Sequence, residues 1–287
     1  MTQAFNLSQL ANNVNTSGQL NAAAGLYNQL PTANGGTGRN TVTAGRILVG
    51  AGASAMTELT GGATGEVVTW NGTAWASAAG AGGAAPVLNV YTTPGTWTKP
   101  ATVKGIKVTV VGGGGTGGTA SVNAVPGPAN RSAGAGGGGG GGTSIRIYPA
   151  ASLPGPQPFT VGAAASTSSF GVAPITVITA TAGSAGTSAP GAGATGAGGA
   201  GGAGASGSLN IQGNAGGIGS GASPTLLSSA GGNGGGTVFG GGGAQNSAGG
   251  AYGGGGGGGA LSVTPTSAAS QPGGTGAAGV VIIEEFY

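Results

Sequence analysis

The chain contains 287 residues, 73 of them Gly, and only 4% of its residues are charged, against roughly 25% in an ordinary soluble domain. It has no Cys, His or Asp, which excludes disulfides, the usual zinc sites and catalytic triads. The formal net charge is +3; the three Lys lie near one predicted strand, the four Arg are scattered, and no basic stripe with interleaved aromatic residues exists, so nucleic acid is not an expected partner.

Residues 1–30 predict a short helix, because Leu7, Leu10 and Val14 recur at helical spacing. The functional interpretation is an attachment segment that docks onto a larger assembly or self-associates, and the alternative is a frayed terminus. The chain has no secretory signal pattern and no run of about 18 apolar residues. We therefore expect a protein that is made and used in soluble form, without membrane insertion.

Residues 31–85 predict short β-strands separated by glycines. Arg46–Val49 and Glu66–Trp70 are rich in β-branched and aromatic residues, and Asn71-Gly72 predicts a hairpin with a two-residue type I′ turn. A two-stranded hairpin is marginally stable alone in water. Several chains packed together would supply the missing burial.

Two stretches of this region resemble the shaft repeats of bacteriophage tail fibres. They are LPTANGGTGRNTVTAGRILVGAG, from Leu30 to Gly52, and LTGGATGEVVTWNGTAW, from Leu59 to Trp75. In that family such segments form slender homotrimeric shafts. The resemblance therefore implies a homotrimer, with residues 31–85 as a β-rich fibre shaft and residues 1–30 as the segment held by a phage tail or adaptor protein.

A new domain is predicted after the Gly/Ala-rich linker at about 80–86. Lys104–Val111 predicts a strand that places Ile106, Val108 and Val110 on one face. The stretch VYTTPGTWTKPATVKGIKVTVVGGGGTGG resembles the start of the glycine-rich domain at the distal end of many phage fibres. Further matches are GGGGTSIRIY, FTVGAAASTSSFG and the closing GGTGAAGVVIIEEFY, so the resemblance covers about residues 31–287.

The glycines after that strand match a dinucleotide-binding fingerprint, Gly112-x-Gly114-x-x-Gly117, only in their letters. The fingerprint requires a helix that starts at the glycines and an acidic residue about 20 positions later. The following residues show no helical period, and no Asp or Glu occurs between Glu66 and Glu284. The sequence therefore predicts that these glycines serve close backbone packing.

The later glycine tracts predict helices of the polyglycine-II type, with three residues per turn and no internal hydrogen bonds. Their amides and carbonyls must be satisfied by neighbouring helices, and only Gly lets backbones approach that closely. Gly191–Gly207 would form one helix of roughly 50 Å. The predicted fold class is mostly β and irregular: a short-strand trimeric β shaft (31–85), followed by a glycine-rich tip domain (86–287) of packed polyglycine-II-type helices flanked by β-strands.

Antiparallel packing of successive helices would place alternate loops at the same end, and one end is the expected binding tip. The segments that interrupt the tracts are residues 121–132, 208–212, 223–229, those around Phe239, 245–247 and 263–271. Some residues in and beside these segments have side chains suited to contacts with sugars or with loops of outer-membrane proteins. These candidate receptor-binding residues are Arg131, Leu226, Leu227, Phe239, Gln245, Asn246 and Tyr252. The alternative for Leu226, Leu227 and Phe239 is a small apolar plug, and for Arg131 a solvated side chain.

The terminal VVIIEEFY predicts a strand that pairs with Ile106–Val111 and closes the domain. In that pairing Glu284 and Glu285 can meet Lys104 or Lys107.

The sequence favours a phage tail-fibre protein or adhesin of the virion that recognises an outer-membrane protein or polysaccharide of the host, with no enzymatic activity and no cofactor. The main alternative is a structural virion fibre, on the capsid surface or as a connector, without receptor recognition. A polysaccharide-cleaving tailspike would need a pair of carboxylates, for which only Glu58, Glu66, Glu284 and Glu285 are present. A silk-like extracellular protein would require a secretory signal.

Overall fold

The computed structural model describes residues 2–12, 14, 16–17, 32, 36–80, 85–123, 131–221, 228–263 and 268–287. Its elements are mostly β-strands, with one described α-helix, α1 (Thr2–Asn12), and a short 3₁₀ turn at Ala150–Ser152. The expected mostly-β class is confirmed. The chain divides into two compact units, Met1–Gly82 and Gly83–Tyr287. No helix among the described residues is long and apolar enough to cross a membrane.

The first unit carries two antiparallel hairpins besides α1. Its strands are β1 (Ile47–Ala51), β2 (Ser54–Leu59), β3 (Glu66–Trp70) and β4 (Trp75–Ala79), with β1 paired to β2 and β3 to β4. The helix predicted in residues 1–30 and both predicted strands are therefore confirmed. Arg39 and Glu58 form an ion pair of 3.1 Å, and hydrogen bonds from Thr43 lower the pKa of the Glu58 carboxyl.

The turn between β3 and β4 differs from the predicted two-residue type I′ turn. Trp70 pairs with Trp75, so the loop has the four residues Asn71–Ala74. The Asn71 side chain accepts hydrogen bonds from the amides of Thr73 and Ala74, each at 2.9 Å, and Gly72 takes a φ of 96°. The hairpin prediction is confirmed and the turn type is wrong, because the Asn71 side chain stabilises a wider loop.

The second unit contains the remaining strands. They are β5 (Val87–Tyr91), β6 (Gly95–Trp97), β7 (Gly105–Val111), β8 (Ala120–Val122), β9 (Arg131–Gly134), β10 (Thr143–Pro149), β11 (Gln157–Thr160), β12 (Ser168–Phe170), β13 (Ile178–Ala180), β14 (Ala189–Pro190), β15 (Gly204–Ala205), β16 (Leu209–Ile211), β17 (Ala260–Val263), β18 (Ala269–Gln271) and β19 (Val280–Phe286). Two five-stranded sheets have the orders β16-β10-β7-β19-β5 and β15-β13-β12-β11-β6. Two smaller sheets have the orders β14-β8-β18 and β17-β9.

The two five-stranded sheets form a β-sandwich around one apolar core. Its fully buried members include Ile106, Val108 and Val110 from β7, which confirms the predicted buried face of that strand. Phe170 of β12 and Ile178 of β13 pack from the other sheet. The sequence pattern of alternate β-branched residues therefore identified the central strand of the sandwich.

Tyr148 of β10 also belongs to this core and is 3% exposed. Burial raises the pKa of its phenol to about 12, and nearby Arg146 partly opposes that rise. The hydroxyl donates a hydrogen bond to the carbonyl of Thr176 at 2.7 Å.

The terminal strand β19 lies between β7 and β5, which confirms the predicted closing strand. Glu284 stands opposite Lys107 in the register, and their ion pair measures 2.9 Å. Glu285 instead points into the sandwich, where it is 5% exposed. Trp97 Nε1 donates to its Oε1 at 2.7 Å and Tyr287 donates to its Oε2 at 2.6 Å, so the predicted pairing with lysine holds for Glu284 alone.

Eight segments of seven or eight residues that are neither helix nor strand form the main part of a hydrogen-bonded lattice in the second unit. In chain order these lattice segments, numbered 1 to 8, are residues 112–119, 135–142, 181–188, 196–203, 212–219, 231–237, 253–259 and 272–279. Their amides bond to carbonyls of neighbouring segments with a spacing of three residues. For example, Gly115 and Gly118 of segment 1 donate to Gly139 and Gly136 of segment 2, each at 2.8 Å.

Lattice segment 2 lies at the centre and is bonded to six neighbours. All eight of its amides donate to carbonyls of segments 3, 5 and 7. Its carbonyls accept from amides of segments 1, 4 and 6, and all these bonds measure 2.8 to 3.0 Å. A Cβ added to Gly138 would lie 2.2 Å from the carbonyl oxygen of Gly115, and one added to Gly139 would lie 2.0 Å from that of Ala200. No side chain fits there, which is why this segment is an uninterrupted run of glycines after Ala135.

The tract Gly191–Gly207 does not form one long element, contrary to the expectation of a helix of roughly 50 Å. Segment 4 begins at residue 196 and β15 begins at Gly204. Gly191 and Gly193 have φ values of 110° and 72°, so the chain bends between β14 and segment 4. Composition alone did not mark these boundaries, because residues in bends and in lattice segments are equally rich in Gly and Ala.

Candidate functional site

The lattice has two chemically different ends. Segments 1, 3, 5 and 7 run antiparallel to central segment 2, whereas segments 4 and 6 run parallel to it and segment 8 runs antiparallel to segment 7. Odd-numbered and even-numbered segments therefore run in opposite directions, and the predicted gathering of alternate loops is confirmed. The β-sandwich occupies one end, which we call the sandwich end, and we call the opposite end the connector end.

The described parts of four chain connectors lie at the connector end, together with one tight turn that joins the short stretches 240–243 and 247–250 between segments 6 and 7. The connectors are the residues that follow segments 1, 3, 5 and 7, namely 120–134, 189–195, 220–230 and 260–271, and the turn is 244–247. Residues 124–130, 222–227 and 264–267 lie outside the described part of the chain. The candidate residues Leu226 and Leu227 are among them, so their predicted binding role stays a prediction.

Two small sheets close the connector end. β8 and β9 belong to the connector after segment 1, and β17 and β18 to the connector after segment 7. Under them lies a second apolar cluster of small side chains, including Ala120, Val122 and Ala133, all at most 2% exposed. Backbone pairing and a small core therefore hold the described part of this surface on the lattice.

Arg131 opens β9 at the connector end, where it pairs with Val263 of β17. Its Nη1 donates to the carbonyl oxygen of Asn123 at 2.5 Å. A pocket of about 350 Å³ is lined by Asn123, Arg131, Gly191 and Ala192. Asn123 lies in the candidate segment 121–132, whereas sequence reasoning missed Gly191 and Ala192, because the parallel pairing of β14 with β8 brings together positions about 70 residues apart and leaves no local signal.

Gln245 and Asn246 form the tight turn at the same end, and both are exposed. Gln245 Oε1 accepts from the amide of Gly231 at 3.1 Å, and Asn246 Oδ1 accepts from the amide of Ala260 at 3.0 Å. Both side chains therefore fix the turn against lattice segment 6 and β17.

Phe239 and Tyr252 lie at the sandwich end, away from the other described candidates. Thr237 Oγ1 accepts from the amide of Phe239 at 3.2 Å and donates to the carbonyl of Tyr252 at 2.6 Å. The neighbouring Gly253 packs close to Val111 of β7. The candidate segment 208–212 is also at this end, as part of β16. The predicted set of candidate residues is thus not one site.

The remaining candidates for a ligand site are clusters of metal-ligating side chains and the fingerprint glycines. Among the described residues no group of three or more His, Cys, Asp and Glu could hold a metal ion. The amides of the fingerprint glycines Gly112, Gly114 and Gly117 already donate to carbonyls at 2.8 to 3.0 Å. They have no helix behind them and are committed to the lattice, so the structure agrees with the packing interpretation of these glycines.

Comparison with known proteins adds no assignment, since no protein-family model matches the chain and a search of curated protein sequences finds no match.

Proposed function

We propose that this chain is a bacteriophage tail-fibre protein of the virion that binds a receptor on the host bacterial surface during adsorption. The observation that carries the proposal is the gathering of the connectors at one end of a hydrogen-bonded lattice, opposite the sandwich through which the chain enters this unit at β5. Loops held on a rigid scaffold lose little entropy on binding and are the usual place for recognition. The resemblance of residues 31–287 to fibre shafts and glycine-rich tips supports the same function.

The lattice segments are, in this proposal, polyglycine-II helices. Three observations support that assignment: lateral hydrogen bonds with a three-residue spacing, six neighbours around segment 2, and no space for a Cβ at its glycines. At about 3.1 Å per residue, a segment of eight residues spans roughly 25 Å. The connector end is then held at that distance from the sandwich by a stiff spacer.

The hairpins of the first unit form, in the same proposal, a homotrimeric shaft. Val67, Val68, Trp70 and Trp75 are between 44% and 55% exposed, which is unusual for residues of this size in consecutive strands. Pairing with two further copies of the chain would bury them. Exposed Phe5 and Leu7 of α1 support attachment of residues 1–30 to a phage tail or adaptor protein.

Substitution of Val68 by Lys is expected to dissociate the trimer. Val68 is 44% exposed in the single chain, and a shaft interface would bury three lysine charges around one axis. Multi-angle light scattering of the full chain should give a trimer mass for the wild type and a lower mass for the variant. Val172→Lys is the matched control, because Val172 is 50% exposed in the second unit, and it should remain trimeric. A wild-type monomer would contradict the shaft proposal.

The receptor-binding function is tested by competition with whole virions. Labelled, folded protein should bind the host bacterium saturably, and excess unlabelled protein should slow adsorption of intact particles. The control is a bacterium on which the virus does not grow, which should not bind the protein. Absence of binding by a demonstrably folded trimer would favour the alternative of a structural virion fibre, in which the lattice is a spacer and another protein contacts the host.

A further inference from the structure

We propose that the pocket at Arg131 binds an oxyanion, a carboxylate or phosphate group carried by a glycan of the host surface. The inference rests on the proposed receptor-binding function and specifies the chemistry that the connector end recognises. It depends on three features: the distribution of charge along the chain, the position of Arg131 in a paired strand, and a pocket beside it.

Arg131 is the single formally charged side chain of the connector end. The residues of 120–134, 189–195, 220–230, 244–247 and 260–271 include no other Lys, Arg, Asp or Glu. The two carboxylate side chains of the second unit, Glu284 and Glu285, both lie on β19 at the sandwich end. A positive charge therefore marks one point on an otherwise uncharged surface, and an incoming anion meets no competing carboxylate side chain there.

The backbone around Arg131 is held by hydrogen bonds on both sides. β9 pairs with β17, and Gly193 donates to the carbonyl of Ser132 at 2.8 Å. The Arg131 side chain is half-buried and is fixed by its bond to the Asn123 carbonyl. Part of the entropy cost of ordering a long side chain is thus already met before a ligand binds.

The pocket beside Arg131 has room for a sugar-sized group. Its volume of about 350 Å³ is within the lower range of small-molecule sites, and its described lining is polar or small rather than aromatic. The planar guanidinium has five N–H donors in a geometry that suits carboxylate and phosphate. A neutral acceptor can also bond to this guanidinium, but an oxyanion gains more because both partners are then charged and two parallel hydrogen bonds can form, so the arrangement favours an oxyanion.

The test measures binding of the full-length trimer to host cells for the wild type and three variants. Arg131→Gln removes the charge, and Ala192→Glu places a carboxylate at an exposed lining position, so that the charge is matched within the protein. Both should weaken binding about tenfold to a hundredfold per site, as expected for loss of a charge-assisted hydrogen bond. Arg146→Gln is the matched control and should bind as the wild type does. Arg146 is also half-buried and donates its Nη1 to a backbone carbonyl, at Ser206, but lies at the sandwich end.

Competitors identify the oxyanion. If the receptor group is a carboxylate, glucuronate should displace the wild-type protein from cells. If the receptor group is a phosphate, inorganic phosphate should displace it. Glucose, which carries no charge, should not displace the protein in either case. Equal binding of the wild type and of folded Arg131→Gln and Ala192→Glu would overturn this inference and leave the proposed function intact. Equal losses in Arg131→Gln and Arg146→Gln would also overturn it, because they would indicate general attraction by net charge. A wild type that does not bind host cells would contradict the proposed function itself.

Discussion

Substitution of Gly139 by Ala is expected to prevent the second unit from folding into its native lattice. The added Cβ would lie 2.0 Å from the carbonyl oxygen and 2.5 Å from the carbonyl carbon of Ala200. These are backbone atoms held by their own hydrogen bonds, so they cannot move aside as a flexible side chain can. Gly139 also donates to Ser184 and accepts from Gly115, and displacing segment 2 weakens both bonds. We expect a loss of about 4 kcal/mol or more in the free energy of unfolding, at the upper end of overpacking effects.

The matched control is Gly241→Ala, in another run of glycines of the same unit. A Cβ at Gly241 meets no atom within 4 Å, and its φ does not lie in the left-handed region. The change should alter stability by less than about 1 kcal/mol, since Ala there only reduces the freedom of the unfolded chain. Thermal and denaturant unfolding of the two variants provide the comparison. Equal stability of Gly139→Ala and the wild type would show that the hydrogen-bonded lattice is not the packing of the native protein.

Substitution of Glu285 by Ala is expected to destabilise the sandwich by about 2 to 4 kcal/mol, whereas Glu284→Ala should cost only about 0.2 to 1 kcal/mol. The two residues are adjacent in sequence but differ in surroundings. Glu285 is buried and accepts from Trp97 and Tyr287, so its loss leaves the buried indole N–H without its acceptor. Glu284 makes a partly exposed ion pair with Lys107.

The Glu285 variant has a spectroscopic signature besides its stability. The hydrogen bond to Glu285 is the largest cause of the raised pKa of Tyr287. In Glu285→Ala the phenol of Tyr287 should therefore ionise at a lower pH than in the wild type, measured by tyrosinate absorbance against a Tyr287→Phe reference. If the pKa of Tyr287 is unchanged and the two glutamate variants are equally stable, the Glu285 carboxylate does not stabilise the sandwich through its hydrogen bonds to Trp97 and Tyr287.

Local sequence patterns predicted the strands well. The period-two burial of β7 and the hairpin of β3 and β4 follow from β-branched residues, alternation and turn residues close together in the chain. The pairing of β19 with β7 joins distant residues, and it was predicted from the apolar run at the end of the sequence. The turn type failed, because a side-chain hydrogen bond from Asn71 determined the loop length. The lengths of the glycine segments failed as well, because Gly-rich composition is the same in a bend and in a lattice segment.

The candidate site was predicted only in part. Arg131, Gln245 and Asn246 do lie at one end, as loop residues between successive antiparallel segments should. Phe239 and Tyr252 lie at the other end, because Phe239 is in the turn that follows segment 6 and Tyr252 is in the turn that precedes segment 7. The roles of Gln245 and Asn246 as acceptors for backbone amides depend on partners 14 residues away, which no local pattern indicates.

The sequence by itself determined that the chain is mostly β with close-packed glycine segments, and that its chemistry lacks Cys, His and Asp. These conclusions follow from composition and from short-range periodicity, which the covalent chain carries directly. The tertiary structure alone decided which segment is central, where each segment begins and ends, and which Glu is buried. Each of these depends on hydrogen bonds between residues tens of positions apart, and a glycine tract contains no side chains that could specify its partners in advance.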